Sequence, residues 1–197
     1  ASRRDAMKAV FLDRDGTINH DVGHITDPAL FDLIPGSIDA MNRLRDAGFC
    51  LPLITNQAGV GRGLMTEHQL NRVLDSFQDM LRKEGTFLDG VYYCPHHPEE
   101  AIGHYKQDCD CRKPGAAMLH RAASDLGIDL SQSYMIGDHW SDAGAGIAAG
   151  CKAILLRTGH GPQELEELSE EQIASVEYVA DDLADAVDYI LANNGSD

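Results

Sequence analysis

The chain has 197 residues, 43% of them hydrophobic, and a formal net charge of −16 at pH 7. This length suits one compact domain, which we expect to span residues 1–197 and to act as a monomer. The negative charge argues against binding of nucleic acid or of anionic membranes, but it is compatible with a small anionic substrate held in a local positive pocket.

Short apolar runs alternate with segments of helical periodicity along the chain. The apolar runs predict strands at residues 9–12, 49–54, 91–93, 134–136, 153–156 and 176–180. Apolar residues at helical spacing predict helices around residues 38–45, 70–81, 118–126, near 147 and at 183–191, and the acidic segment 164–171 is expected to be a solvated helical face or a loop. This order predicts an α/β protein with three layers, in which helices cover both faces of a mainly parallel, Rossmann-like sheet.

The sequence has no feature of a membrane protein or a secreted protein. It lacks a run of about 18 apolar residues that could span a bilayer. Its first residues, ASRRDAMK, lack the apolar core of a secretory signal. We therefore expect a cytoplasmic protein without a membrane partner.

Two aspartates follow the first predicted strand. In the segment KAVFLDRDGT, Asp13 lies at the strand end and Asp15 stands just before Gly16. Glycine tolerates backbone angles that other residues avoid, so we expect the chain to turn there and to leave Asp15 on the outgoing loop. Two carboxylates this close repel each other, so one can stay ionised as a nucleophile or metal ligand while the other carries a proton. A polar turn after a buried strand is the alternative.

Other polar side chains follow the later strands. Thr55 and Asn56 come after the second predicted strand, and Asp138 comes after the fourth, with Asp142 four residues on. Ligands of parallel sheets gather beyond the carboxyl ends of the strands, so we expect these residues to lie near Asp13. The hydroxyl and the amide can donate hydrogen bonds to an oxyanion, and the carboxylates suit a hard cation such as Mg²⁺. Asp142 fits the start of a helix equally well.

Two adjacent cations, Arg112 and Lys113, stand just before Pro114 and a helical segment. A guanidinium group can make a two-pronged contact with phosphate, and an ammonium group supplies a compact positive charge. We interpret the pair as a phosphate-binding element, with a surface salt bridge as the alternative.

Three of the five cysteines are close together in the sequence. An odd number of cysteines fits poorly with a secreted disulfide framework, and metal binding is the better interpretation. Three thiolates and one imidazole would fill the tetrahedral shell of Zn²⁺ and leave no position for water, which is typical of a structural site. The candidate ligands are Cys94, His96, Cys109 and Cys111. His97 and, more remotely, His104 are alternatives for the imidazole, and unligated loop cysteines are the alternative for the whole set.

The remaining cysteines, Cys50 and Cys151, lie in the apolar segments AGFCLPLIT and AAGCKAILL. We expect both to be small core residues.

The motifs resemble, in order, those of a known superfamily. FLDRDGT, ITN, CRKP and MIGDHWSD are similar to the four motifs of the haloacid dehalogenase superfamily of phosphotransferases, over residues 8–156. The resemblance implies that Asp13 attacks phosphorus to form an aspartyl phosphate, while Asp15 protonates the leaving oxygen and later activates water. It implies that Thr55 and Lys113 hold the phosphoryl oxygens. It further implies that Mg²⁺ is bound by Asp13, the backbone carbonyl of Asp15 and Asp138.

The segments YYCPHHP and CDCRKP are similar to the zinc-containing branch of the superfamily, which includes heptose 1,7-bisphosphate 7-phosphatases and histidinol-phosphate phosphatases. The loop between Cys94 and Cys109 has a length that favours the heptose enzymes. The resemblance therefore implies a small sugar bisphosphate substrate that loses its C7 phosphate. The implied substrate contacts are Asp21, His24, Asn56, Gln57 and Arg112. His24 and Ala58 stand where that family has Tyr and Ser, at positions that bear on sugar contacts and on the preferred anomer.

The spacing between the motifs leaves no room for the separate cap domain of many superfamily members, so we expect an open site. An open site keeps a polynucleotide 3′-phosphatase as an alternative, although the acidic composition and the lack of basic, aromatic stretches argue against it. A histidinol-phosphate phosphatase and a zinc-organised binding module without activity are two further alternatives. The presence of both Asp13 and Asp15 argues against the binding module.

Overall fold

The computed structural model describes residues 5–194, so residues 1–4 of the segment ASRRDAMK lie outside the described part of the chain. The strands pair into one sheet, and their pairings are parallel. The strands are β1 (Lys8–Leu12), β2 (Phe49–Cys50), β3 (Pro52–Asn56), β4 (Gly90–Cys94), β5 (Tyr134–Gly137), β6 (Lys152–Leu156) and β7 (Tyr178–Ala180).

Strand β1 lies in the interior of the sheet. The strand order is β4-β3-β1-β5-β6-β7, and β2 also pairs with β1. Leu12 of β1 is in register with Leu53 of β3 and with Ile136 of β5. These strands therefore end at the same edge of the sheet, which brings the residues that follow them close together.

The helices vary widely in length. They are α1 (Ser37–Asp46), α2 (Ala58–Gly61), α3 (Glu67–Lys83), α4 (Ala117–Leu126), α5 (Trp140–Ala148), α6 (Gly161–Glu167), α7 (Glu170–Ser175) and α8 (Leu183–Asn193). Short 3₁₀ helices lie at Pro28–Leu30, Gly103–Tyr105 and Leu130–Gln132.

Buried apolar side chains lie on both faces of the sheet. Val10 and Leu12 belong to one buried cluster, and Ala9 and Phe11 belong to another, because successive strand residues point to opposite faces. The first cluster includes buried residues of α1, α3 and α8, and the second includes buried residues of α4 and α5. The predicted three-layer α/β architecture with a parallel sheet is confirmed.

The second predicted strand is divided. Leu51 separates β2 from β3 and donates its N–H to the carboxylate of Asp89 at 2.7 Å. The predicted strand at residues 49–54 also ended two residues too early, because Thr55 and Asn56 are the last two residues of β3. Both residues are in register with residues of β4, Thr55 with Tyr93 and Asn56 with Cys94, so they belong to the sheet and not to the loop that follows it.

The acidic segment 164–171 covers the end of α6 and the start of α7. Ser169 lies between these helices, and its hydroxyl accepts a hydrogen bond from the N–H of Gln172 at 3.1 Å. The Gln172 side chain in turn accepts from the N–H of Ser169 at 2.9 Å, which completes a capping box. The segment thus contains helical residues and a short link between two helices, in agreement with the expectation of a helical face or a loop.

Two long segments join strands to helices near the site. Residues 13–36 connect β1 to α1, and residues 95–116 connect β4 to α4, and each segment contains one 3₁₀ helix. The absence of a separate cap domain and the assignment of residues 1–197 to a single domain stay predictions. No helix between residues 5 and 194 is both long enough and apolar enough to cross a bilayer.

Leu44 of α1 tests the placement of the larger buried cluster, since its side chain is fully buried. We expect Leu44→Ala to lower the free energy of unfolding by about 2–5 kcal/mol, because the change removes buried methyl groups and leaves a cavity. The matched change Leu30→Ala, at a side chain that is 51% exposed, should alter it by no more than about 0.5 kcal/mol. Urea unfolding followed by circular dichroism measures both values, and equal losses would contradict this placement.

Candidate active site

Asp13 follows the end of β1 and faces a small polar cavity. Its N–H donates to the carbonyl of Ile136 at 3.1 Å, which extends the pairing with β5 by one residue. The cavity has a volume of about 230 Å³ and is lined by Asp13, Asp15, Asp21, Thr55, Asn56, Arg112, Lys113, His139, Ser141 and Asp142. Four separate segments of the chain therefore meet at one edge of the sheet, as the strand order requires.

Lys113 is the buried cation of this cavity. Its Nζ donates to Asp13 Oδ1 at 2.9 Å, to Asp142 Oδ1 at 2.5 Å and to the carbonyl of Ile54 at 2.9 Å. Burial alone would lower the pKa of Lys113, but the two carboxylates raise it above its usual value. The ammonium group is therefore charged at neutral pH and lies beside the predicted nucleophile.

Negative charge exceeds positive charge around Asp13. Burial and the neighbouring Asp142 raise the pKa of Asp13 well above its usual value, and Lys113 opposes the rise. Asp138 and Asp15 add further negative charge. A buried carboxylate among other carboxylates is stable as an anion only when more positive charge comes close. The site therefore favours a bound cation in addition to the lysine.

Asp138 directly follows β5 and is fully buried. Its Oδ2 accepts the backbone N–H of His160 at 2.9 Å, and its Oδ1 lies 2.9 Å from Nδ1 of His139. Burial would raise the pKa of Asp138, but these two contacts outweigh it and lower the pKa. Burial would likewise lower the pKa of His139, whereas the hydrogen bond to Asp138 raises it to about 9. Asp138 is thus held as an anion.

The donor set fits a hard divalent cation. Carboxylate oxygens of Asp13, Asp138 and Asp142, together with a ring nitrogen of His139, lie within 4.8 Å of one another. Oxygen ligands of this kind are preferred by Mg²⁺. A Cβ atom on Gly16 would collide with Asp138 Oδ2, so the turn after Asp15 lies directly against that carboxylate. This contact requires glycine at position 16.

The end of β3 holds Lys113 in place. Asn56 Oδ1 accepts the N–H of Lys113 at 3.0 Å, and Asn56 Nδ2 donates to the Lys113 carbonyl at 3.3 Å. Gln57 is buried, and its Nε2 donates to the hydroxyl of Thr55 at 3.0 Å. The structure therefore gives Asn56 and Gln57 supporting contacts, and their predicted role in substrate binding stays a prediction.

The other predicted substrate contacts have different positions. Asp21 lines the cavity, and its Oδ2 lies 2.8 Å from Nε2 of His160. Arg112 also lines the cavity, and its Nη1 donates to the carbonyl of His96 at 3.4 Å. His24 packs beside α2, where a Cβ on Gly59 would come within 2.8 Å of its Nδ1. Substrate binding by these three side chains stays a prediction.

A second cluster of potential metal ligands lies next to Arg112 in the chain. The donor atoms of Cys94, His96, Cys109 and Cys111 lie within 4.8 Å of one another. Cys94 Sγ is 3.5 Å from Cys109 Sγ, and His96 Nδ1 is 3.3 Å from Cys111 Sγ. Ligands about 2.3 Å from a tetrahedral zinc are separated by somewhat less than 4 Å, so the cluster can hold zinc.

Three histidines were considered as the imidazole of this cluster, and the choice among them stays a prediction. His96 belongs to the cluster, whereas Nδ1 of His97 accepts the backbone N–H groups of Glu99 and Glu100 at 3.1 and 2.9 Å. The ring of His104 packs on Tyr105, with centroids 4.0 Å apart. His97 and His104 are thus both engaged in contacts outside the cluster.

The sulfurs of Cys94 and Cys111 are close enough to be paired as a disulfide, which would leave Cys109 as a free thiol. A disulfide would use only two of the four donor atoms. It would give no reason for His96 and Cys109 to converge on the same point. A metal centre would use all four. Cys50 and Cys151 are buried outside it, as predicted for core residues.

Three residues near the site were not expected from the sequence. Arg14 is buried and pairs with Asp15, Asn19 donates to the same carboxylate, and His139 contacts Asp138. The only signal for Arg14 was its place between the two aspartates, and the position beside Asp138 was the signal for His139. Nothing in the local sequence marked Asn19.

A larger groove of about 790 Å³ runs along β4, and neither Asp13 nor Lys113 lines it.

The chain is similar in sequence to known phosphatases. A family model described as HAD-hyrolase-like matches residues 110–186. The D-glycero-beta-D-manno-heptose-1,7-bisphosphate 7-phosphatase of Yersinia pestis is 41% identical over 182 residues, which cover 91% of this chain and 93% of that protein. The protein of the same name from Escherichia coli K12 is 42% identical over 182 residues, covering 91% and 92%. The chain belongs to the haloacid dehalogenase superfamily. Like these relatives, it is a phosphatase, a hydrolase of phosphoric monoesters.

Solved structures of the superfamily agree with the fold. The D,D-heptose 1,7-bisphosphate phosphatase of B. bronchiseptica, complexed with magnesium and phosphate, has a TM-score of 0.80 and 33% identity, and the match covers 95% of this chain and 99% of that one. The D,D-heptose 1,7-bisphosphate phosphatase of Burkholderia thailandensis has a TM-score of 0.67 and 29% identity, covering 94% and 99%. The predicted membership of the haloacid dehalogenase superfamily is confirmed.

Gly16 tests the close contact between the β1 turn and Asp138. Gly16 has φ +79°, and a Cβ there would collide with the Asp138 carboxylate. We expect Gly16→Ala to lower kcat/KM by at least about tenfold, a cost of about 1.4 kcal/mol in the transition state, because Asp138 must move. Gly48→Ala is the matched control, since Gly48 has φ +92° but no heavy atom within 4 Å of the added Cβ. If both variants lose the same activity, backbone strain at a positive φ, and not the collision with Asp138, accounts for the loss.

Proposed function

We propose that this phosphatase hydrolyses the C7 phosphate of D-glycero-β-D-manno-heptose 1,7-bisphosphate. The observation that carries the proposal is the buried contact between Lys113 Nζ and Asp13 Oδ1 within a cavity lined by further polar groups. The names of the relatives at 41–42% identity support this substrate and the β anomer. A cavity of about 230 Å³ has room for a phosphate group and part of a small sugar.

The reaction we propose has two steps. Asp13 attacks phosphorus, the bond from phosphorus to the ester oxygen breaks, and its electron pair goes to that oxygen, which takes a proton from Asp15. Water then attacks the aspartyl phosphate and gives a proton to Asp15, which frees inorganic phosphate and restores Asp13. In this mechanism Lys113 and the hydroxyl of Thr55 hold the phosphoryl oxygens, and the fact that both residues line the cavity supports this assignment.

A magnesium ion completes the proposed site. Asp13, Asp138 and the backbone carbonyl of Asp15 would hold it, and the excess of buried carboxylates supports this assignment. When bound, Mg²⁺ supplies positive charge that offsets the charge of the nucleophile and of the phosphoryl oxygens. Magnesium in the related B. bronchiseptica structure agrees with this choice of ion.

We further propose that Cys94, His96, Cys109 and Cys111 bind a structural Zn²⁺. Because Cys111 is followed directly by Arg112 and Lys113, the ion would fix the segment that carries both cations. The full set of four protein ligands leaves no position for a reacting water, which supports a structural role. The expectations of a cytoplasmic monomer that binds neither nucleic acid nor membranes stay predictions.

Replacement of the nucleophile tests the mechanism. We expect Asp13→Asn to lower kcat by about 10³-fold or more, because an amide cannot form the acyl phosphate. Asp75→Asn, at an exposed site on α3, should retain full activity. The rate is measured as phosphate release with Mg²⁺, on protein whose mass excludes conversion of the new asparagine to aspartate. Wild-type turnover by Asp13→Asn would refute the proposed nucleophile.

Competition between substrates tests the choice of sugar. We expect kcat/KM for the β anomer of heptose 1,7-bisphosphate to exceed that for the α anomer, fructose 1,6-bisphosphate, histidinol phosphate and a 3′-phosphorylated oligonucleotide by at least about 10²-fold, or about 2.7 kcal/mol. A preference for histidinol phosphate or for the oligonucleotide would preserve the chemistry and reject the proposed substrate.

Adjacent histidines provide a matched test of the zinc site. We expect purified protein to contain about one zinc per chain, His96→Ala to lose most of it, and His97→Ala to retain it, because the backbone contacts of His97 lie outside the cluster. Elemental analysis measures the metal. Titration of thiols after unfolding in chelator should give five thiols, whereas three would indicate a disulfide between Cys94 and Cys111.

A further inference from the structure

Arg14 stands between the two aspartates of the site, and its side chain is only 1% exposed. Its guanidinium group makes a two-pronged contact with Asp15, from Nε to Oδ1 at 3.0 Å and from Nη2 to Oδ2 at 2.9 Å. The Asp15 side chain is 22% exposed and lines the cavity, whereas Arg14 does not line it, so the arginine lies behind the carboxylate. The two proposed reaction steps assign no task to this buried cation.

Asn19 holds the same carboxylate through a second contact. The chain turns after Asp15, and the N–H of Gly16 donates to the carbonyl of Asn19 at 2.7 Å. This turn brings Asn19 Nδ2 within 3.0 Å of Asp15 Oδ1. Asp15 therefore accepts two side-chain hydrogen bonds on Oδ1 and one on Oδ2. Because two of the three donors belong to one rigid planar group, they restrict the rotation of the carboxylate as well as its position.

The guanidinium group is in turn fixed by the core. Its Cζ lies 5.2 Å from the ring centroid of Phe31, and that ring lies 4.8 Å from the ring of Phe77, which is fully buried. Within residues 5–194, Nη1 of Arg14 has no hydrogen-bond partner. Its side-chain hydrogen bonds thus go to Asp15, and the aromatic packing sets the direction in which they point.

We propose that Arg14 is a positioning residue that holds the carboxyl group of Asp15 in the orientation required for proton transfer to the leaving oxygen. This inference rests on the acid–base role proposed for Asp15. Arg14 is not among the residues that line the cavity, and its two hydrogen bonds go to Asp15, so it acts through Asp15. Its loss should therefore harm reactions that need a proton on the leaving group and spare those that do not.

Leaving groups of different acidity provide the test. The constant kcat/KM reports on events up to departure of the leaving group, so it omits the later hydrolysis of the aspartyl phosphate. A sugar alkoxide needs a proton as it departs, whereas 2,4-dinitrophenolate departs without one. We expect Arg14→Met to lower kcat/KM at least about tenfold for heptose 1,7-bisphosphate and less than about threefold for 2,4-dinitrophenyl phosphate.

Three further variants test whether the effect is specific to the contacts of Asp15. Arg43→Met is the matched control, because Arg43 pairs with Asp188 on the surface, and both rate constants should stay at the wild-type values. Asn19→Ala, which removes the other donor to Asp15, should show the same selectivity as Arg14→Met with a smaller loss. If Arg14→Met fails to fold in a thermal melt, Arg14→Lys replaces it, since lysine keeps the charge but lacks the fork.

Equal losses for the two substrates, no loss, or a gain with the sugar phosphate would overturn the role of Arg14. Asp15→Asn separates this failure from a failure of the proposed function. If Asp15→Asn lowers kcat/KM selectively for the sugar phosphate and Arg14→Met does not, the acid–base role stands and the positioning role falls. If Asp15→Asn shows no selectivity, the proposed role of Asp15 is wrong, and the inference falls with it.

Discussion

The buried ammonium group of Lys113 is the interaction on which the site depends. It contacts Asp13 and Asp142, and without it two carboxylates would face each other in a place where water cannot separate their charges. Its third contact, with the carbonyl of Ile54, ties the same nitrogen to β3. One group thus joins three elements of the chain, and in the proposed mechanism it also supplies positive charge to the phosphate ester. A substitution of Lys113 would therefore affect both the stability of the site and the activity of the enzyme.

The sequence and the structure agree most closely where local signals were strong. An apolar run followed by Asp13 predicted both β1 and the carboxylate at its end, and the spacing of the cysteines predicted the cluster beside the site. The role of Asp142 could not be decided, because its partner Lys113 is 29 residues away in the chain and only the packed fold brings them together. The double hydrogen bond from Asn56 to the backbone of Lys113 was hidden for the same reason, since 57 residues separate them.

The predicted boundaries of an element were wrong where a hydrogen bond interrupts an apolar run. The run 49–54 looked continuous because each residue in it is apolar or small, yet Leu51 hydrogen-bonds to Asp89 and divides it. The pairing of Arg14 with Asp15 also escaped prediction. Neighbouring residues of an extended strand point to opposite sides, and only the turn at Gly16 lets the guanidinium reach the next carboxylate.

The interior position of β1 has a consequence for how this enzyme loses activity. Asp13 follows a strand that is paired on both sides, so its position is lost only when the sheet itself separates. Lys113 lies near the end of the 95–116 connection, where hydrogen bonds with Asn56 rather than sheet pairing hold its backbone. The two opposite charges of the site therefore reside in regions of unequal local stability. Opening of the connection alone would withdraw the cation and leave the proposed nucleophile, Asp13, in place, and on the proposed mechanism such a chain is inactive while its sheet remains intact.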